Sequence, residues 1–112
     1  MAELFAAAET LAYFRNVEGN RLAILTNGGG LGVLAVDSLV DRGYLPAEIS
    51  AATMARLDAA MPPIWSKANP VDIIGDADAA RYTQALQALI EDRQNDAVLV
   101  LQHTINQQEG FF

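Results

Sequence analysis

The sequence of 112 residues contains no cysteine. That excludes a disulfide framework, a thiolate metal site and a cysteine nucleophile, and it fits a reducing compartment. Positive charge is scarce: seven Lys and Arg stand against fourteen Asp and Glu, a net charge of −7. No basic stripe can therefore follow a phosphate backbone, and nucleic acid is not an expected partner. Long apolar runs are missing too, since crossing a bilayer takes roughly 20 consecutive apolar residues. The opening "MAELFAAAETLAYF" carries Glu3 and Glu9 and lacks a basic leader, so neither a membrane anchor nor a targeting segment is expected. The cytoplasm is the default location. With 52% apolar and 19% charged residues, the composition is that of a globular domain. A chain of this size buries only about 65% of its unfolded surface, so a partner domain would add stability.

What is present is a series of apolar blocks of two kinds. From Ala2 to Phe14, the positions Leu4, Phe5, Ala8, Leu11 and Ala12 recur at helical spacing and predict a helix. Leu22 to Leu25 is an apolar run without alternation, as in a parallel strand covered on both faces. The pattern from Leu31 to Val40 is helical in period, with Gly43 placed to close it. Ser50 is a candidate N-cap for a shorter helix that Pro62 and Pro63 forbid from continuing. Val71 to Ile74 reads as a second strand, with Asp76 or Asp78 opening the helix that buries Ala80, Leu86, Leu89 and Ile90. Asp96 to Leu101 is the third strand. Strands alternating with helices predict an α/β layer with right-handed parallel crossovers.

In such a layer ligands approach the carboxyl ends of the strands, where loops and helix starts offer main-chain N–H groups. "TNGGGLG" falls at that edge. Gly28, Gly29, Gly30 and Gly32 let an anion come close to the main chain, while Thr26 and Asn27 add side-chain hydrogen bonds. The dinucleotide fingerprint fails because Val33 stands where its last glycine belongs, and no Lys-Ser/Thr pair makes a Walker loop. On composition alone the glycines serve either a carboxylate or phosphate ligand or simply a tight, closely packed strand-to-helix connection. Asp72, within the second strand, Asp76 and Asp78 could resemble a divalent-metal cluster, but Asp76 and Asp78 are better explained as helix-start residues. His103 is the single histidine, and no G-x-S-x-G nucleophile turn accompanies it. Trp65 fits a core edge. The residues thus nominate no catalytic side chain and no metal site.

Three blocks in this order, "RLAILTNGGGLGVLAVDSL", "NPVDIIGDADAARYTQAL" and "NDAVLVL", resemble the CoA-ligase domain of NDP-forming acyl-CoA synthetases. The resemblance runs from about Gly19 to Leu101. The same domain occurs in the succinyl-CoA synthetase β subunit and in protein lysine acetyltransferases that fuse a synthetase-like region to a GNAT domain. The resemblance implies a flavodoxin-like parallel sheet with flanking helices, here truncated after the third strand. It implies a linker helix over 1–18, the α/β domain over 19–102 and an irregular tail over 103–112. It also implies a site for an organic acid or its acyl phosphate, made by Thr26, Asn27, Gly28, Gly29, Gly30 and Gly32, with Asn27 contacting the acid. The family's phosphorylated histidine lies in another domain and motif, so His103 takes no such role. Thr104 and Ile105 stand where the succinyl enzyme has a diglycine turn. CoA and ATP/ADP belong to the complete enzyme, with none held by this chain alone. The implied partners are the CoA-binding and nucleotide-grasp domains or subunits. The alternative is a non-catalytic acyl-CoA-sensing or assembly domain of a fused acetyltransferase. If Val98 to Leu101 forms an open sheet edge, a homo-oligomer is expected.

Overall fold

The computed structural model describes residues 8–15 and 18–103. Its elements are β1 (Ala8–Phe14), β2 (Arg21–Thr26), α1 (Gly29–Val40), β3 (Leu45–Pro46), α2 (Ala51–Ala60), β4 (Val71–Asp72), α3 (Ala79–Glu91) and β5 (Ala97–His103). One sheet runs β1-β5-β2-β3, and β4 pairs with β2 beyond β3. Every pairing is parallel except that of β1, which lies antiparallel along the whole of β5. The fold is thus the expected α/β layer, with β2 at its centre.

The uninterrupted apolar run of β2 is explained by cover on both faces. Leu22 and Ile24 pack with Ala35 of α1 and with Ala97 and Leu101 of β5. Ala23 and Leu25 face the opposite way, into the larger core of Leu57, Trp65, Val71, Ile73, Ala85, Leu89 and Val98. So α1 covers one face while α2 and α3 cover the other. The chain leaves β2 toward β3 and β4 on one side, and reaches β5 on the other through α3. That reversal places a topological switch point at the carboxyl ends of β2 and β5.

Local chemistry sets the helix limits. The Ser50 hydroxyl accepts from the Thr53 N–H at 3.2 Å to open α2, and Asp78 accepts from the Arg81 N–H at 2.8 Å to open α3. These are the capping roles expected of such residues. Gly43, at φ +94°, lets the chain turn back after α1 so that the Tyr44 N–H reaches the Leu39 carbonyl at 3.0 Å.

The amino-terminal segment departs from expectation. Residues 8–14 form a strand rather than the carboxyl half of a helix, and 1–7 lie outside the described residues. Pairing explains the difference: without a neighbour, the apolar β5 would leave a row of main-chain groups open. The β-favouring Thr10, Tyr13 and Phe14 suit that slot. The open edge expected at Val98 to Leu101 is consequently filled, and the case for association through that strand falls. Also, the last strand extends through His103, and the tail beyond it is outside the described residues.

The composite neighbour of β2 is the least regular part of the sheet. β3 pairs only with Arg21 and Leu22, and β4 only with Leu25 and Thr26. Between them the Asn69 side chain does the work of a strand. Its Oδ1 accepts from the Ile24 N–H at 2.9 Å, and its Nδ2 donates to Leu22 O at 2.8 Å and Ala47 O at 3.0 Å. A side-chain amide matches this gap because it carries both a donor and an acceptor.

Candidate functional site

At the carboxyl end of β2 the chain makes a tight turn into α1. Thr26 is fully buried, and its Oγ1 accepts from the Gly28 N–H at 3.0 Å and lies 3.2 Å from the Gly28 carbonyl. Its hydroxyl is therefore committed to shaping the turn. Asn27 and Gly28 are half-buried at the lip. The helix begins at Gly29, two residues before the periodicity indicates. Gly28 is its N-cap, and no side chain caps it. The first-turn N–H groups of such a helix have no partner within the helix, and its macrodipole favours negative charge there.

The glycines differ in what they permit. A Cβ on Gly32 would lie 3.0 Å from Thr26 Cγ2 and 3.1 Å from Pro70 Cβ, so this glycine serves close packing of helix on sheet. At Gly29 a Cβ would fall 2.9 Å from Asp72 Oδ2, which brings a carboxylate of β4 against the helix start. Gly30 is another matter: its space is open, and it is exposed. Nothing in the described chain demands a glycine there.

The surrounding loops complete the edge. Asp72 Oδ1 accepts from the Ile74 N–H at 2.9 Å, which steadies Ile74 at φ +75°. Arg81 donates to Ile73 O at 2.9 Å and to Asp76 at 2.6 Å, and that hydrogen bond holds the Asp76 carboxyl below its ordinary range. With Asp78 capping α3, each of these three aspartates has a structural task. Tyr82, from the first turns of α3, reaches the same edge: its hydroxyl donates to Leu101 O at 3.1 Å. Burial pushes the phenol up to about 12, with a smaller push from the Asp72 charge and with the Asn27 main chain acting the other way.

The predicted site residues are thus brought together, but in unequal roles. Asn27, Gly28, Gly29 and Gly30 form the accessible lip, whereas Thr26 and Gly32 lie beneath it. Sequence reasoning missed Tyr82, whose only signal was an aromatic in the first turn of a helix opening at this edge. His103 ends β5 opposite Ala8 in the antiparallel register. Trp65 is buried and donates to Asp58 at 2.9 Å, a core residue as expected.

Most of the chain's basic side chains are committed to ion pairs. Four of its seven basic side chains, Arg21, Arg56, Lys67 and Arg81, pair with Asp96, Glu91, Asp58 and Asp76. A cleft of about 700 Å³, mostly apolar, lies between α3 and the β1–β5 pair, lined by Leu11, Tyr82, Leu86 and Val100 among others. Among the described residues, no helix is long and apolar enough to cross a membrane.

A family model described as the Ligase-CoA domain matches residues 22–110. The ADP-forming acetate–CoA ligase I of Archaeoglobus fulgidus is 43% identical over 99 residues, which are 88% of this chain and 14% of that protein. The ADP-forming 4-hydroxybutyrate–CoA ligase of Nitrosopumilus maritimus is 31% identical over 91 residues, 81% of this chain and 13% of the relative. A crystal structure of a Pyrococcus horikoshii OT3 protein superposes with a TM-score of 0.68 at 38% identity, covering 70% of this chain and 18% of that one. The acetyl-coenzyme A synthetase 1 of Ca. Korarchaeum cryptofilum, solved with phosphate and ADP, gives 0.64 at 35% identity over 70% of this chain and 17% of its own. The chain therefore spans less than a quarter of the length of each of these proteins.

Proposed function

Since the chain belongs to the Ligase-CoA domain family, we propose that it supplies one wall of the acid site of an NDP-forming acyl-CoA synthetase. The complete reaction joins an organic acid and CoA at the expense of ATP, releasing ADP and phosphate. In this reading the lip of Asn27, Gly28, Gly29 and Gly30 receives the carboxylate or its acyl phosphate. Asn27 offers a side-chain hydrogen bond, and the α1 start offers main-chain N–H groups. The observation that carries the reading is an uncapped helix start at the switch point, with a glycine at position 30 that no contact explains.

In this reading the chain's share is binding and orientation. Backbone donors fixed before the ligand arrives need no reorganisation to meet its charge. The CoA-binding and nucleotide-grasp parts are expected as partners, in the cytoplasm, and CoA and ATP/ADP are expected to bind there. Assay of acetyl-CoA formation from acetate, CoA and ATP tests this. The purified chain alone should be silent, and activity should appear on mixing with the remaining parts of a synthetase. In that mixture Asn27→Ala should raise the acetate concentration for half-maximal rate by about tenfold, the loss of about 1.4 kcal/mol expected for a hydrogen bond to a charged group. Turnover by the chain alone contradicts the proposal.

A further inference from the structure

We propose that the chain forms a two-fold dimer in which β1 pairs antiparallel with the β1 of a second copy, joining the two sheets into one. The two edges of the sheet are built differently. At one edge stand β3 and β4, each two residues long, and β3 contains Pro46; short strands and proline keep another chain from adding. The other edge is β1, seven residues long. It follows β5 in unbroken register from Ala8 to Phe14, and its sequence AETLAYF holds no proline, lysine or glycine. Since β1 pairs with β5 alone, its outer side presents main-chain N–H and C=O groups that meet no strand among the described residues.

The side chains agree with the main chain. Leu11, Tyr13 and Phe14 are exposed, and they lie on both faces of the strand. Leu11 borders the cleft on the α3 face, while Phe14 borders a smaller one, of about 120 Å³, beside Leu39 and Tyr44 on the α1 face. Pairing therefore buries apolar surface above and below the new seam. A second copy fits this edge because antiparallel self-pairing is symmetric. All seven residues overlap when the two-fold axis passes beside Leu11. In that register Leu11 stands opposite the partner's Leu11. The strand's one charged residue, Glu9, stands in register with Tyr13 rather than with its own copy, so no like charges are opposed. The net charge of −7 on each copy works against association. The dimer is accordingly weak, with a dissociation constant of ~100 µM at low salt, and the chain is monomeric at a few micromolar.

The test uses the full chain, which contains no cysteine, so that a single introduced thiol reports one distance. Directly opposed residues of antiparallel strands have Cα atoms about 4.5–5.5 Å apart, within the range of about 4.4–6.8 Å that a disulfide spans. Leu11→Cys should therefore cross-link to a dimer under oxidised glutathione. Tyr13→Cys sets the two thiols four positions apart along the seam, about 13 Å. Val33→Cys lies on the exposed side of α1, which covers β2, two strands in from the seam. Both should cross-link about tenfold more slowly than Leu11→Cys. Light scattering of the unaltered chain should show the mass rising to a dimer and stopping there, at a lower concentration in about 0.5 M salt, which screens the charge. A chain that stays monomeric at ~1 mM in that salt overturns the proposal. So do equal cross-linking rates at the three positions, and so does a mass that grows past the dimer, the sign of an open-ended contact instead of a closed two-fold.

Discussion

Replacing Asn69 by alanine tests how the sheet is held together where strand pairing runs out. The side chain makes three hydrogen bonds to main-chain groups. Leu22 O keeps a partner in the Ala47 N–H at 2.7 Å, so the substitution orphans two groups, the Ile24 N–H and the Ala47 carbonyl. Both belong to buried residues. At about 1–3 kcal/mol for each buried group left unsatisfied, and with Asn69 itself half-buried so that water reaches part of the gap, the expected loss is about 3 kcal/mol. With a urea slope of about 1.5 kcal/mol/M for a small domain, the unfolding midpoint falls by about 2 M. Asn69→Asp sharpens the test. It keeps the acceptor for Ile24 but turns a carboxylate toward two carbonyls, which raises the introduced carboxyl's folded pKa. A group so raised contributes stability below its unfolded pKa and loses it as pH rises through the folded value. The deficit of Asn69→Asp should therefore shrink below about pH 4. A loss under about 1 kcal/mol in Asn69→Ala, with a deficit in Asn69→Asp that ignores pH, refutes the reasoning.

Three further outcomes follow from other parts of the molecule. Gly30→Ala should raise stability by about 0.5–1 kcal/mol, the usual helical gain of alanine over glycine, while weakening acetate binding at the lip; denaturant melts and the titration check the two halves. The Arg21 hydrogen bonds hold the Asp96 carboxyl at about 2, so its contribution is present above the ordinary carboxylate range and lost as pH falls from about 4 toward 2. Arg21→Gln should accordingly move the acid-unfolding midpoint of the circular dichroism signal upward, and an unmoved midpoint counts against the pair. Deleting residues 1–14 should uncover the β5 edge and cause self-association in light scattering, in contrast to a monomer if β1 were dispensable.

The layered fold was legible because β2 and β5 carry unbroken apolar runs, and because Ser50 and Asp78 announce their helices by local capping chemistry. β1 was not legible as a strand, since Leu4, Phe5, Ala8, Leu11 and Ala12 match a helical period while the deciding partner lies some ninety residues away. β3 is two residues long and has no pattern to read. Asn69 was visible only as a residue before proline; that its amide stands in for a strand is a tertiary fact. The glycine turn lies at the carboxyl end of β2, where the sequence pattern put it, and its glycines differ in their surroundings. Gly32 serves packing, Gly29 accommodates Asp72, and the hydroxyl of Thr26 is used within the turn, which concentrates the candidate contacts on Asn27, Gly28 and Gly30. Tyr82 belongs to a different element from the motif, so no reading of the motif alone reaches it.

The most direct test of the account is an amide-resolved titration of the wild-type chain with acetate. The account predicts saturable shifts concentrated on Asn27, Gly28, Gly29 and Gly30. Shifts confined to the apolar cleft around Leu11 and Leu86, or no saturable shift at all, would contradict it.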